Sequence, residues 1–178
     1  MDATESALIV TVPEAEPAVG PHRARLDSGA IVGVPAHVTV LYPFMPPDLI
    51  SDDILADLEC LFGAAPPFDV TFASVAWFNT AVAYLRPTPD QRLRDLTTLV
   101  LARWPEYPPY GGSVSDPVPH LTIGDNGDVA ALTDAADAIE PSLPITTRVD
   151  TVHLFVGSFE PSSYRQRAAF RLGPPTPS

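Results

Sequence analysis

Prolines and glycines cut this chain into short apolar runs, and the spacing within those runs alternates between the strand period of two and the helical period of about 3.6. Ser6 to Val12, ended by Pro13, reads as a strand. Glu14 to Asp27 turns helical only toward its end, because Pro17, Gly20 and Pro21 make its first half irregular. Val38 to Phe44 is β-branched and aromatic, a second strand. Ser51-Asp52-Asp53 supplies a cap and an acidic first turn to a helix bearing Ile54, Leu55, Leu58, Leu61 and Phe62, and Gly63 stops it. Phe68 to Phe78 alternates at first, then turns at Asn79-Thr80 into Ala81 to Arg86, the pattern of a hairpin. Thr88-Pro89 opens a helix with Leu93, Leu96 and Val100 on one face. Trp104 to Pro119, rich in Pro, Gly and Ser, is a long loop of the kind that is usually functional or disordered. A strand at His120 to Ile123 follows, then a helix capped by Asp128 and carrying Val129, Leu132, Ala136 and Ile139. Strands at about Thr146 to Val156 and Tyr164 to Leu172 close the pattern, and Pro174 to Ser178 reads as a flexible tail.

Two of these strands are near copies. Pro35-Ala36-His37-Val38-Thr39-Val40 resembles Pro119-His120-Leu121-Thr122-Ile123, and each copy is followed by a helix and a strand pair. The expected fold is α+β: one domain over residues 1–173, with two pseudo-symmetric lobes of antiparallel sheet plus helices around a central cleft. The 178 residues suffice for such a core, since a chain of this size buries roughly 70% of its unfolded surface.

Each copy has a chemical meaning. Residues i and i+2 of a strand share a face, so His37 stands beside Thr39 and His120 beside Thr122, while Val38, Val40, Leu121 and Ile123 turn to the core. Brought together by the pseudo-symmetry, two imidazoles and two hydroxyls surround one anion. An imidazole titrates near neutrality and can act as acid or base. One neutral and one protonated ring on opposite sides of a phosphorus would run an in-line displacement, with the threonines on the non-bridging oxygens. A single His-x-Thr is ordinary in strands, but two at mirrored places are not. A zinc reading lacks a third ligand at suitable spacing, so no metal or cofactor is expected.

Charge and composition narrow the partner. The net charge is −12, which disfavours long nucleic acid and leaves a small anion in a local pocket as the fitting ligand. All ten cationic side chains are arginines; the missing lysines exclude a Schiff base, a P-loop lysine and a lysyl-adenylate. Cys60, the one cysteine, rules out an internal disulfide and reads as a small buried hydrophobe. No apolar run approaches the ~20 residues of a membrane span, and the acidic N-terminus lacks the pattern of a signal peptide, so a cytoplasmic monomer is expected.

The stretches His37-Val-Thr39-Val-Leu-Tyr-Pro-Phe44 and Pro119-His-Leu-Thr-Ile-Gly124 resemble the paired motifs of the 2H phosphoesterase superfamily, most closely its bacterial 2′-5′ RNA ligase-like branch, and the resemblance runs from Ala7 to Leu172. It implies the two-lobed fold above and an activity on 2′,3′-cyclic or related cyclic phosphates, on 2′-5′ linkages, or in ATP-independent joining of RNA ends. It further implies that His37 protonates the leaving sugar oxygen, that His120 activates water, and that Thr39 and Thr122 bind phosphate. Cleavage and synthesis exchange the two histidine roles, so the residues alone leave acid and base open. The implied partner is a small cyclic nucleotide or an oligonucleotide end; a binding module that has lost turnover is the alternative outside enzymes.

Weaker signals surround the motifs. Arg165, Arg167 and Arg171 share one parity of the last strand and are either phosphate contacts or a solvated outer face. Tyr110, in Tyr107-Pro-Pro-Tyr110-Gly-Gly112, belongs to a lid, a stacking platform or a plain connector. Trp77, Tyr84 and Tyr42 read as core aromatics before base-stacking ones, and His153 and His22 read as structural.

Overall fold

The aliphatic run near the N-terminus forms the buried strand β1 (Glu5–Thr11) of the computed structural model, which describes residues 2–173. The proline-rich stretch after it is more regular than its composition suggests. Helix α1 (Glu16–Leu26) accepts Pro17 in its first turn, where amides need no helical partner, and keeps Pro21 inside. Its buried stripe is Val19, Arg23 and Leu26. The single turn α2 (Ser28–Ile31) follows, capped by the Asp27 carboxylate on Gly29 N.

The first motif opens β2 (His37–Leu41). Helix α3 (Asp52–Gly63) is capped by Ser51 and buries Leu58 and Phe62. Cys60 falls midway between them, about 200° round the helix from each, and is therefore exposed rather than a buried hydrophobe. Strands β3 (Phe68–Phe78) and β4 (Val82–Thr88) form the expected hairpin. Thr88 still belongs to β4, so helix α4 (Gln91–Arg103) starts two residues beyond Pro89. Strand β5 (Leu121–Gly124) carries the second motif, and α5 (Val129–Ile139) is capped by Asp128 on Ala131 N.

The expected strand across 146–156 is in fact two, β6 (Ile145–Val149) and β7 (Thr151–Gly157), with β8 (Arg165–Arg171) after them. Asp150 is the break: its carboxylate accepts from the Thr151 hydroxyl and its carbonyl from Leu172 N, and the chain crosses there from one sheet to the other.

All pairings are antiparallel, and the sheets have the orders β2-β1-β7-β8 and β5-β4-β3-β6. Helix α3 packs on β8 and α4 on β2, whereas α1 and α5 pack on the second sheet at β5. The fold is α+β, with one motif strand at an edge of each sheet and β2 and β5 in contact. One apolar cluster runs through both lobes, from Leu8 and Val38 to Leu121, Ile123 and Leu132. Among the described residues no helix is long and apolar enough to cross a membrane. The segment read as a flexible tail, 174–178, lies outside the described residues.

Candidate active site

Alternation along the edge strands sets the side chains of the site. Val38 and Val40 are buried at 1% and 3% exposure and Leu121 and Ile123 at 0%, which turns His37, Thr39, His120 and Thr122 to the opposite face, half-buried. The imidazoles are held alike. Nδ1 of His37 lies 2.7 Å from Pro35 O, and Nδ1 of His120 lies 2.7 Å from Val118 O. A carbonyl only accepts, so each Nδ1 carries the hydrogen and each Nε2 keeps its lone pair. The motifs are thus alike in tautomer as well as in sequence.

Neighbouring elements fix the rings further. His120 meets Phe78 edge-on at 5.1 Å and Tyr84 at 5.6 Å between centroids, and those two rings stack on each other at 4.3 Å. Tyr84 lies opposite Thr122 in the ladder and is buried, so it packs the second motif from within the sheet. Burial lowers the affinity of both imidazoles for a proton. His37 is pushed down to about 4, first by burial and then by the Arg23 guanidinium and by His120, against the bond to Pro35 O. His120 is also lowered by burial, opposed by its bond to Val118 O and by the Asp27 carboxylate. Both rings are therefore neutral near pH 7, and a phosphate anion beside them would raise both.

Three cavities meet at these residues. One of about 230 Å³ is lined by Thr39, Tyr42, Arg94, Tyr110, Asp116 and His120. A second, about 220 Å³, takes in His37 and Thr39 with Ile9, Tyr42, Phe159 and Tyr164, and is mostly apolar. His120 and Thr122 line a third with Phe78, Val82 and Tyr110. Tyr110 therefore stands at the cleft. Its amide donates to Tyr42 O at 2.7 Å, and a left-handed run at Tyr110, Gly111 and Gly112 (φ 51°, 63° and 82°) folds the loop over. Arg94 ties that loop to α4, bonding Asp90, Asp116 and Pro117 O.

The arginines of β8 lie elsewhere. That strand is separated from β2 by β1 and β7, and neither Arg165 nor Arg167 lines a cavity at either histidine. Arg167 donates to Pro47 O and Ile50 O beside α3. A register shift breaks the shared parity: Arg171 faces Thr151 but Arg165 faces Val156, which have opposite parity in β7. Tyr42 lines the cleft, and Trp77 packs against the core. His153 lies on the face of sheet one that carries Thr39, across Ile9, and bonds Thr11 and Gln166. Sequence reasoning missed Arg23, Asp27, Arg94 and Asp116, since each sits in a helix or loop with no periodic signal of its own. Among the described residues no three His, Cys, Asp or Glu groups gather as a metal site.

A sequence model of the 2′-5′ RNA ligase superfamily matches residues 11–158. No curated protein matches the chain by sequence. Among solved structures, E. coli LigT complexed with 3′-AMP superposes with a TM-score of 0.60 at 16% identity, over 96% of this chain and 99% of that one. LigT complexed with ATP gives 0.57 at 17% identity, over 97% and 99%. TT0787 of Thermus thermophilus gives 0.64 at 17% identity, over 96% and 98%. At such identities these likenesses speak for the fold alone.

Proposed function

Because the chain belongs to the 2′-5′ RNA ligase superfamily of 2H phosphoesterases, we propose that it hydrolyses a 2′,3′-cyclic or related cyclic nucleotide phosphate with His37 and His120 as an acid–base pair. The observation that carries this reading is the matched pair of imidazoles, each with Nδ1 spent on a carbonyl and Nε2 left free. In the reaction one Nε2 takes a proton from water as its oxygen attacks phosphorus, and the other gives a proton to the departing sugar oxygen. Thr39 and Thr122 donate to the non-bridging oxygens, and the partly closed cleft strengthens those contacts. Tyr110 and the apolar cavity beside His37 offer surfaces for the nucleoside. A small ligand also suits the net charge of −12. LigT, by the descriptions of its structures, holds 3′-AMP and ATP on this fold.

Run in reverse, the same groups would join a cyclic phosphate end to a hydroxyl. The absence of lysine means that such ligation draws on the cyclic phosphate and not on an adenylate. The test is hydrolysis of 2′,3′-cyclic nucleotides in EDTA by wild type, His37→Ala and His120→Ala. The expected losses are about 10²- to 10⁴-fold in each variant, with wild-type activity retained in EDTA. Turnover surviving both substitutions would sink the mechanism, and binding without turnover in the wild type would leave a nucleotide-binding module.

A further inference from the structure

Few cations surround the motif residues. Among the described residues, Arg94 is the one arginine that lines any of the three cavities. Its guanidinium is already shared between two carboxylates, Nε to Asp90 Oδ2 at 2.9 Å and Nη1 to Asp116 Oδ1 at 2.8 Å. The remaining charges of the cleft are negative. The cavity of about 330 Å³ at His120 and Thr122 is lined by both Asp116 and Asp125. The Asp116 side chain is 81% exposed. Asp125 lies one residue past β5 and accepts from Ser28 N at 2.8 Å and from Ser28 Oγ at 2.5 Å. Those donors are neutral, so they orient the carboxylate without cancelling its charge. Ser28 also lines the cavity at His37, which has no arginine or carboxylate in its wall and is built from Ile9, Val32, Val34, Tyr42, Phe159 and Tyr164 around the motif.

A phosphodiester carries a single negative charge, whereas a phosphate monoester carries about −1.5 to −2 near pH 7. One protonated imidazole and the threonine hydroxyls are enough to balance the former. A second phosphate on the same ligand finds nothing to balance it, whichever way the nucleoside lies. Beside Thr39 and Tyr110 the only guanidinium is already paired. In the cavity at His37 the walls are mostly apolar, where an unpaired charge is costly. Along β5 it meets carboxylates of its own sign, and like charges brought together discriminate against a ligand as surely as good contacts select one.

We propose that Asp125 and Asp116 make the cleft a charge filter, which accepts a nucleoside cyclic phosphodiester of one negative charge and turns away nucleotides bearing a further phosphate. The proposal rests on the phosphoesterase reading above and narrows its substrate to a mononucleotide with an unphosphorylated sugar. Both aspartates act on specificity through space and take no part in the bond-breaking step.

Two substrates that differ only at one oxygen test the filter: a nucleoside 2′,3′-cyclic phosphate with a free 5′-hydroxyl, and the same compound with a 5′-phosphate. For the wild type in about 0.01 M salt, kcat/KM should be at least about 10-fold lower on the phosphorylated compound, and the gap should shrink to about 2-fold at 1 M. In Asp125→Asn and in Asp116→Asn the low-salt gap should narrow by about 3-fold or more, the second change also releasing Arg94. The ratio compares two substrates on one enzyme, so a general loss of activity or stability leaves it readable. Should a variant fail to fold, the salt dependence of the wild type decides. Equal kcat/KM on the pair overturns the filter and leaves the phosphoesterase reading standing. A gap that ignores both salt and substitution is steric exclusion and overturns it as well. If neither compound is hydrolysed, the phosphoesterase reading itself fails, and calorimetric dissociation constants for the same pair then judge the filter. A ratio near one, or no binding of either compound, refutes it.

Discussion

His37 shows how much of this site is decided by a few ångströms around one ring. Burial first, then the Arg23 guanidinium, holds its proton affinity down at about 4, against the bond of its Nδ1 to Pro35 O. The unfolded chain would take up a proton near the ordinary value of about 6.5. Between those values the unfolded state binds more protons than the folded one, so stability rises with pH. The contribution is fully present above about 6.5 and is lost as pH falls toward 4. The expected loss is on the order of 2–3 kcal/mol, read as a falling Tm over that window. His37→Gln should flatten the slope, and an unchanged slope in that variant would assign it to other groups. The candidacy of His37 and His120 was legible from the doubled motif. The free nitrogen of each was not, because the carbonyls that fix it belong to turns whose shape no periodicity records.

At the scale of elements, the strands that carry the motifs were readable because one face of each is apolar: Val38 and Val40 in β2, Leu121 and Ile123 in β5. The long run 146–156 was not, because β6 and β7 alternate with similar residues and only Asp150 separates two sheets. Likewise the register shift in β8 sends Arg165 and Arg171 to opposite faces, which parity alone could not foresee. Helix α1 approaches β5 closely at Gly124, the end of the second motif strand. A Cβ built there would meet Leu132 Cδ2 at 2.6 Å, Leu26 Cβ at 2.8 Å and Leu26 O at 3.0 Å. Gly124→Ala should therefore destabilise the protein by about 1–3 kcal/mol in thermal unfolding, by forcing α1 and α5 off β5. A Tm within a degree of wild type would show that the helices yield without cost.

For the whole molecule, 22 acidic residues face 10 arginines, and several of those arginines are already paired with aspartates. Self-repulsion on this scale weakens the compact state and is screened by salt, whose Debye length falls from ~30 Å at 0.01 M to ~3 Å at 1 M. Tm is expected to rise with sodium chloride over that range; a fall would mean that the exposed ion pairs outweigh the repulsion. What the amino-acid sequence determined by itself was local or repeated: the order of the helices and of every strand but β6 and β7, the α+β class, the doubled His-x-Thr, and a charge suited to a small anionic ligand. Tertiary structure alone decided which edges of the two sheets meet. It also placed Tyr110 at the cleft and left Arg165 and Arg167 outside it. The reason is that periodicity records which face of an element is buried, whereas a site assembled across a seam depends on how separately folded elements pack. The pair of imidazoles could be read along the chain; the contact between β2 and β5 that brings the two motif strands together arises only from how the sheets pack.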